Sequence, residues 1–428
     1  MKQGRRAAGL LLLTAMLAGC GLSSSNEQET KPLQGKTLVF MAASHPWMDA
    51  IRPLLPSFEA ETGIRVIVQS YFEDQLTQKL SLNLTSDSHT PDVFMYRPLQ
   101  EGLLFNRNGW LEHLDNYVTK DTTYDWNDFS PQAVRSSMVD EKLGGIPVIT
   151  EQGMLYYRKD LLREEGIPVP KTLDELATAA KRLHNPDKGV YGFVARGQRS
   201  PLVTQVSSFL YSEGGDFTDG RKATINTPAA IRAFELYGGL LRDYGPPDVI
   251  NMSWPQAIAF FAEGKAAFYT DATSIYRTVT DPARSNIADK VGFAPFPAGS
   301  SGSRTYSITS WGLAMNPSSG QKEAAWAFIR WATSKEIVLA TQAKGNTGAR
   351  QSVWNSPEGT AAFPSELAAV IQGYGDTGVD HDRPAAVNVA EAREAVGEIV
   401  QRVMTGYPDI KQKADEQNAI LQSILDQE

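Results

Sequence analysis

Apolar residues recur along the chain with two periods, and the two alternate. Thr37–Ala42 (TLVFMA), Ile64–Gln69 (IRVIVQ) and Asp92–Tyr96 (DVFMY) are short and rich in β-branched and aromatic residues, which predicts buried strands. Ile51, Leu54, Leu55 and Phe58 instead fall on one face of a helix, although Pro53 and Pro56 predict an irregular start. Thr172 and Glu175 form a capping box ahead of Leu173, Leu176, Ala177 and Ala180, so a helix begins there. Thr227-Pro228 supplies an N-cap and a first-turn proline for the face Ile231, Phe234, Tyr237 and Leu241, and Gly245-Pro246-Pro247 ends it. Ala325, Phe328, Ile329 and Ala332 mark one more amphipathic helix, in which Trp326 and Trp331 read as packing residues. This alternation predicts α/β layers around largely parallel sheets, with no internal repeat.

The first residues follow a different pattern. Lys2, Arg5 and Arg6 precede the apolar run Ala7–Leu17, and Leu17-Ala18-Gly19-Cys20 follows. A cationic start, a short apolar run and small residues before a cleavage point predict an export signal over 1–19. The run is too short to span a membrane, which takes about twenty apolar residues. Leu-Ala-Gly-Cys resembles the lipobox of bacterial lipoproteins, which implies that Cys20 is acylated and anchors the chain. Residues 20–35 are polar apart from Leu22 and Leu33, and read as a flexible tether.

Composition narrows the possible functions. At 428 residues, two or three domains are expected. Cys20 is the one cysteine, so neither an internal disulfide nor a thiolate-rich metal site is possible. Lys plus Arg number 41 against 49 acids, a net charge of −8, and no basic face is available for nucleic acid. No Gly-x-Gly-x-x-Gly, phosphate-binding loop or Gly-x-Ser-x-Gly elbow occurs. The five histidines are scattered, and the acidic Asp121–Asp128 loop lacks the glycine and closing glutamate of a calcium loop. Neither cofactor nor metal is expected. A glycosidase carboxylate pair needs no fixed spacing and stays open.

One family resemblance runs through the remainder. Pro147–Leu161, with Glu151 and the Tyr157-Arg158-Lys159-Asp160-Leu161 stretch, is followed by Gly166-Ile167-Pro168-Val169-Pro170-Lys171-Thr172-Leu173-Asp174-Glu175-Leu176. Arg196-Gly197, Glu213-Gly214-Gly215, Tyr244-Gly245-Pro246, Phe261–Ala267, Asp271-Ala272-Thr273, Ser310–Ala314 and Ala325–Glu336 come next, in that order. The series resembles family 1 extracellular solute-binding proteins, the maltose-binding-like receptors of ABC importers. Asp-Ala-Thr, Trp-Ala-Thr-Ser-Lys-Glu and Gly348-Ala349-Arg350-Gln351-Ser352 are similar to the branch that binds mannitol, sorbitol or arabitol. Glu151-Gln152-Gly153 and Asn346-Thr347 depart from that branch, so a monosaccharide or oligosaccharide stays open beside a polyol.

The resemblance implies a two-lobed periplasmic-binding-protein-like (type II) α/β fold with hinge crossovers. Its first lobe would hold 36–150 and 270–311, and its second 151–269 and 312–428. It further implies a cleft between the lobes, permease subunits as partners and a monomeric receptor that does no chemistry. A sugar presents hydroxyls to charged groups and C–H faces to aromatic rings. Glu151, Asp271 and Trp311 are the expected ligand contacts at the crossovers. Trp47, Tyr71, Tyr96 and Trp254 are aromatic cleft candidates, and Arg196 and Arg350 are candidate donors, with Arg97 and His45 behind them. Two rival functions remain: a lipid-anchored glycoside hydrolase using Glu151 and Asp271, and a receptor for a non-carbohydrate solute.

Overall fold

The computed structural model describes residues 31–374 and 377–427; Cys20 and the expected signal lie outside them. The first strands are β1 (Thr37–Ala43), β2 (Arg65–Tyr71), β3 (Val93–Tyr96), β4 (Met138–Val139), β5 (Lys142–Leu143) and β6 (Ile146–Arg158). β7 (Tyr191–Val194), β8 (Thr218–Asp219), β9 (Lys222–Ala223), β10 (Ala266–Ala272), β11 (Val291–Pro295) and β12 (Ser307–Met315) follow. Apart from the hairpins β4–β5 and β8–β9, the strands join in the order β2-β1-β3-β12-β6-β10-β7, with β11 also on β6.

The sheet is mixed, where the alternating pattern predicts largely parallel pairing. β1 lies parallel to β2 and β3, and β10 parallel to β7. Every ladder made by β6 and β12 is antiparallel. These are the long strands that connect two packed bodies.

Two apolar cores define the bodies. The first gathers Leu38, Phe40, Phe94 and Ile149 with Leu313, Phe328 and Ala349. The second gathers Met154, Phe209, Phe234 and Phe293 with Ile308, Trp354 and Val396. The chain thus passes between cores at 149–154, 308–311 and 349–354. This corrects the expected segment assignment. Residues 279–308 pack in the second body, because β10 and β11 pair with the later half of β6. Residues 313–349 pack in the first, because β12 pairs with β3 and with the earlier half of β6. Helices cover both faces. The expected helix around Ile51–Phe58 is split by its prolines into Pro46–Ile51, a 3₁₀ turn Arg52–Leu54, and Leu55–Thr62. The Thr172–Glu175 capping box and the Thr227 cap form as predicted. The tether ends sooner than residue 35: Leu33 packs on the first core, and Gly35 N–H donates to the Gly63 carbonyl at 3.0 Å.

Candidate functional site

Parallel strands of an α/β layer end on the side where loops are free to meet a ligand. In the first body β1 leads into His45, β2 ends at Tyr71 and β3 leads into Arg97, with Trp311 of antiparallel β12 at the same level. In the second body β7 runs into Arg196, beside Asp271 near the end of β10. Glu151 and Gln152 lie between the two edges, on the stretch of β6 that pairs with Ile308 and Ser307.

Trp311 is 5% exposed and belongs to the first core at its boundary with the second, with the His45 ring centroid 6.1 Å away and the Arg97 guanidinium carbon 5.5 Å from its ring centroid. Four of the five N–H groups of Arg97 are engaged elsewhere: Nη1 meets Glu73 at 3.1 Å, Nε meets Glu101 at 3.0 Å, and Nη2 meets Thr77 at 3.0 Å and Glu101. Its position against the ring is thus fixed mainly by Glu73, Thr77 and Glu101, and it supports the Trp311 face. Tyr71 is half-buried at the rim, its carbonyl accepting from Ser44 N–H at 2.7 Å.

In the second body a buried polar network positions Arg196. Asp271 is fully buried, and its Oδ2 accepts from Arg196 Nε at 2.9 Å and from the Tyr269 hydroxyl at 2.6 Å. Its Oδ1 accepts from Arg196 Nη2 and from Gln205 Nε2 at 2.9 Å. Both oxygens are spent, so the expected direct contact between Asp271 and ligand is corrected: Asp271 holds Arg196. The same occupancy removes it as one carboxylate of a hydrolase pair. Arg196 keeps Nη1 without a partner among the described residues, and burial is outweighed by Asp271 in raising its pKa. Glu151 is half-buried and accepts from Ser274 Oγ at 2.6 Å through Oε1. Burial raises its carboxyl above the ordinary range; the Ser274 bond and Arg196 oppose this, and Asp271 and Asp382 add to it.

Three further expectations are corrected. Trp47 is buried in the first core, edge-on to Phe40 with centroids 6.4 Å apart. Tyr96 is also core, and its hydroxyl has no hydrogen-bond partner among the described residues. Arg350 is buried and donates to the carbonyls of Thr333 at 2.7 Å, Asp125 at 3.1 Å and Tyr124 at 3.0 Å. It also pairs with Asp128 at 3.2 Å and lies on the Phe129 ring, so it braces the first body. Trp254 is 37% exposed, beside the Arg196 loop, whose Gly197 and Gln198 N–H groups donate to Met252 O.

Residues missed in the sequence come from the 380–383 turn. Asp382 is buried, accepts from Thr204 Oγ1 at 2.7 Å and pairs with Arg383 at 2.6 Å. Arg383 Nη1 and, at 3.4 Å, Arg393 Nη1 donate to Gln100 Oε1 of the first body. Asp380 meets Arg135 of the first body at 3.1 Å. The charged run Asp380-His381-Asp382-Arg383, with one of the five histidines inside it, was the available signal. Among the described residues no group of three or more His, Cys, Asp or Glu side chains could hold a metal ion. None of the described helices is long and apolar enough to cross a membrane.

Two α/β bodies joined by shared strands, with polar and aromatic side chains converging between them, define a two-lobed binding protein for a small solute. The comparisons agree. A family profile for bacterial extracellular solute-binding proteins matches residues 42–338, and the chain belongs to that family. It is 31% identical over 296 residues to the mannitol-binding protein of Pseudomonas aeruginosa. That match spans 68% of this chain and 65% of the relative, just under two thirds of its length. The crystal structure of an Agrobacterium radiobacter ABC transporter solute-binding protein in complex with ribitol superposes with a TM-score of 0.81 at 28% identity. It covers 92% of this chain and 100% of its own. An Agrobacterium vitis solute-binding protein with bound D-mannitol gives 0.75 at 26% identity, covering 92% and 99%.

Proposed function

We propose that this protein is the substrate receptor of an ABC importer, taking up a small polyol or sugar between its two bodies and delivering it to membrane permease subunits without chemical change. The observation that carries this reading is the pairing of a supported aromatic face, Trp311, with a free guanidinium edge, Arg196 Nη1, and a carboxylate oxygen, Glu151 Oε2, that no described residue meets. Vicinal hydroxyls need donors and acceptors together, and C–H faces need a ring. A relative named for mannitol, and structures holding ribitol and D-mannitol, support the polyol side of the reading. Trp311, Glu151 and Arg196 are the proposed contacts, with Tyr71 and Trp254 at the rim. Gln100, Asp382 and Arg383 join the bodies beside them.

Acylation at Cys20 would hold the receptor at the outer face of the membrane as a monomer. Closure on the ligand stabilises one arrangement of the bodies, and the permease reads that arrangement. The test is a thermal-shift screen with D-mannitol, ribitol, erythritol, maltose and galactose. A ligand at a hundred times its Kd adds about 2.7 kcal/mol to the native state, which moves melting by several degrees. No shift from any of them would overturn the reading, as would turnover of a glycoside that is lost in Glu151→Gln.

A further inference from the structure

His45 occupies the turn where β1 enters the helix Pro46–Ile51, and its backbone is extended, at φ −139° and ψ 149°. Its Nδ1 accepts the Trp47 backbone N–H at 3.2 Å. A ring nitrogen that accepts carries a lone pair, so the proton of the neutral ring resides on Nε2. Burial drives the pKa down to about 4, which keeps the ring neutral under ordinary conditions. The side chain is half-buried, tilted 53° against the Trp311 ring, and no described residue meets Nε2. The turn is pinned as well: Ser44 N–H donates to Tyr71 O at 2.7 Å, and Pro46 fixes the next φ.

We propose that His45 is a specificity-determining donor of the site: Nε2–H donates to a hydroxyl oxygen of a solute lying against Trp311, while the Nδ1 bond to Trp47 fixes the tautomer that makes this possible. The inference rests on the receptor reading and deepens it. A hydroxyl that donates to Glu151 Oε2 still has lone pairs, and along the chain of a polyol these need donors from both bodies. Arg196 Nη1 supplies one from the second body. On the facing rim four of the five N–H groups of Arg97 are already committed to Glu73, Thr77 or Glu101. His45 supplies that rim with a donor at a fixed position, next to the ring on which the carbon chain rests. Such a donor discriminates among hydroxyl stereoisomers, because one inverted centre carries the acceptor oxygen away from it.

The two nitrogens can be tested separately. In His45→Asn the short amide oxygen can replace Nδ1 as the helix cap, but nothing reaches the Nε2 position. In His45→Gln the longer amide places an N–H near the Nε2 position and gives up the cap. Calorimetric titration with D-mannitol and ribitol, together with melting of each variant, should show His45→Asn melting near wild type with Kd raised about tenfold, the effect of one lost hydrogen bond to a neutral group. His45→Gln should melt lower yet stay within about threefold in Kd, since it keeps that bond. In wild type labelled with ¹⁵N-histidine, saturation should shift the His45 Nε2–Hε2 resonance, and this readout needs no variant to fold. A folded His45→Asn that binds like wild type, or an Nε2 signal unmoved at saturation, overturns the inference alone. Wild type that binds none of the sugars and polyols overturns the receptor reading, and the inference falls with it.

Discussion

Asp271→Ala separates a residue that touches ligand from one that holds the residue that does. A carboxylate facing an open cleft is solvated, and its loss should barely change the stability of the unliganded protein. Asp271 is instead fully buried and bonded to Arg196, Gln205 and Tyr269. Truncation strands a largely buried guanidinium, and breaking a buried pair from one side costs about 3–5 kcal/mol. For a cooperative unit of about 150–250 residues, 1 kcal/mol is worth roughly 2–4 °C, so the melting temperature should fall by about 6–20 °C. Arg196→Met removes the charge that would be stranded. The double variant should therefore be more stable than the sum of the single losses requires, by about 0.5–3 kcal/mol of coupling. Denaturant unfolding of the four proteins measures the cycle, and titration with D-mannitol on the same samples measures binding. Affinity should fall in both single variants, because Arg196 loses either its aim or its existence. An Asp271→Ala protein that melts within 2 °C of wild type, with no coupling to Arg196, would refute the buried-anchor assignment.

Arg350→Ala removes four acceptor contacts and a ring contact in the first body; it should lower the melting temperature strongly while the folded fraction binds normally, and selective loss of binding would return Arg350 to the cleft. Tyr96→Phe deletes a buried hydroxyl without a partner among the described residues, so stability should hold or rise by about 1 kcal/mol; a loss beyond about 1 kcal/mol would mean that the hydroxyl is bonded in solution. Burial works against a charged His381, yet its hydrogen bonds to Asp216 and Asp380 push its pKa from 6.5 up to about 9. A folded pKa above the unfolded one stabilises fully below about pH 6.5, and the contribution fades as pH rises through about 9. His381→Gln should flatten the stability profile across that window, and an unaltered slope would count against the pairing. Cys20→Ser should release the protein from the membrane fraction, and retention there would remove the lipid anchor from the proposal.

Elements were legible where burial imposes a period. The three first-body strands, the Thr172 capping box and the Thr227 helix are local patterns, and they form close to where the pattern places them. Site membership was less legible, because a core and a sugar cleft recruit the same side chains. Trp47 follows β1 and Trp311 lies within β12, both are buried against the first core, and only the packing of one on Phe40 and of the other beside His45 and Arg97 separates them. Charged residues were harder still. Arg350 finds Asp128 from 222 positions away, and Arg196 finds Asp271 from 75, separations that no local spacing reports.

The same argument explains why the site lies where it does. Between Ile149 of one core and Met154 of the other, β6 crosses ground that neither core covers, and the intervening residues include Thr150, Glu151 and Gln152. β12 crosses beside it, with Ile308 opposite Glu151 and Thr309 opposite Thr150, and Thr347 bonds to both the N–H and the carbonyl of Thr150. A junction made of apolar side chains would fuse the two cores into one body. A junction of threonines with satisfied backbone groups keeps the strands paired yet leaves the bodies separate. Glu151 faces Ser274 and Arg196 faces Asp271, each keeping one polar edge that no described residue meets. The gap between the cores is thus the place where leaving a carboxylate and a guanidinium edge free for a hydroxyl-bearing solute costs the fold least.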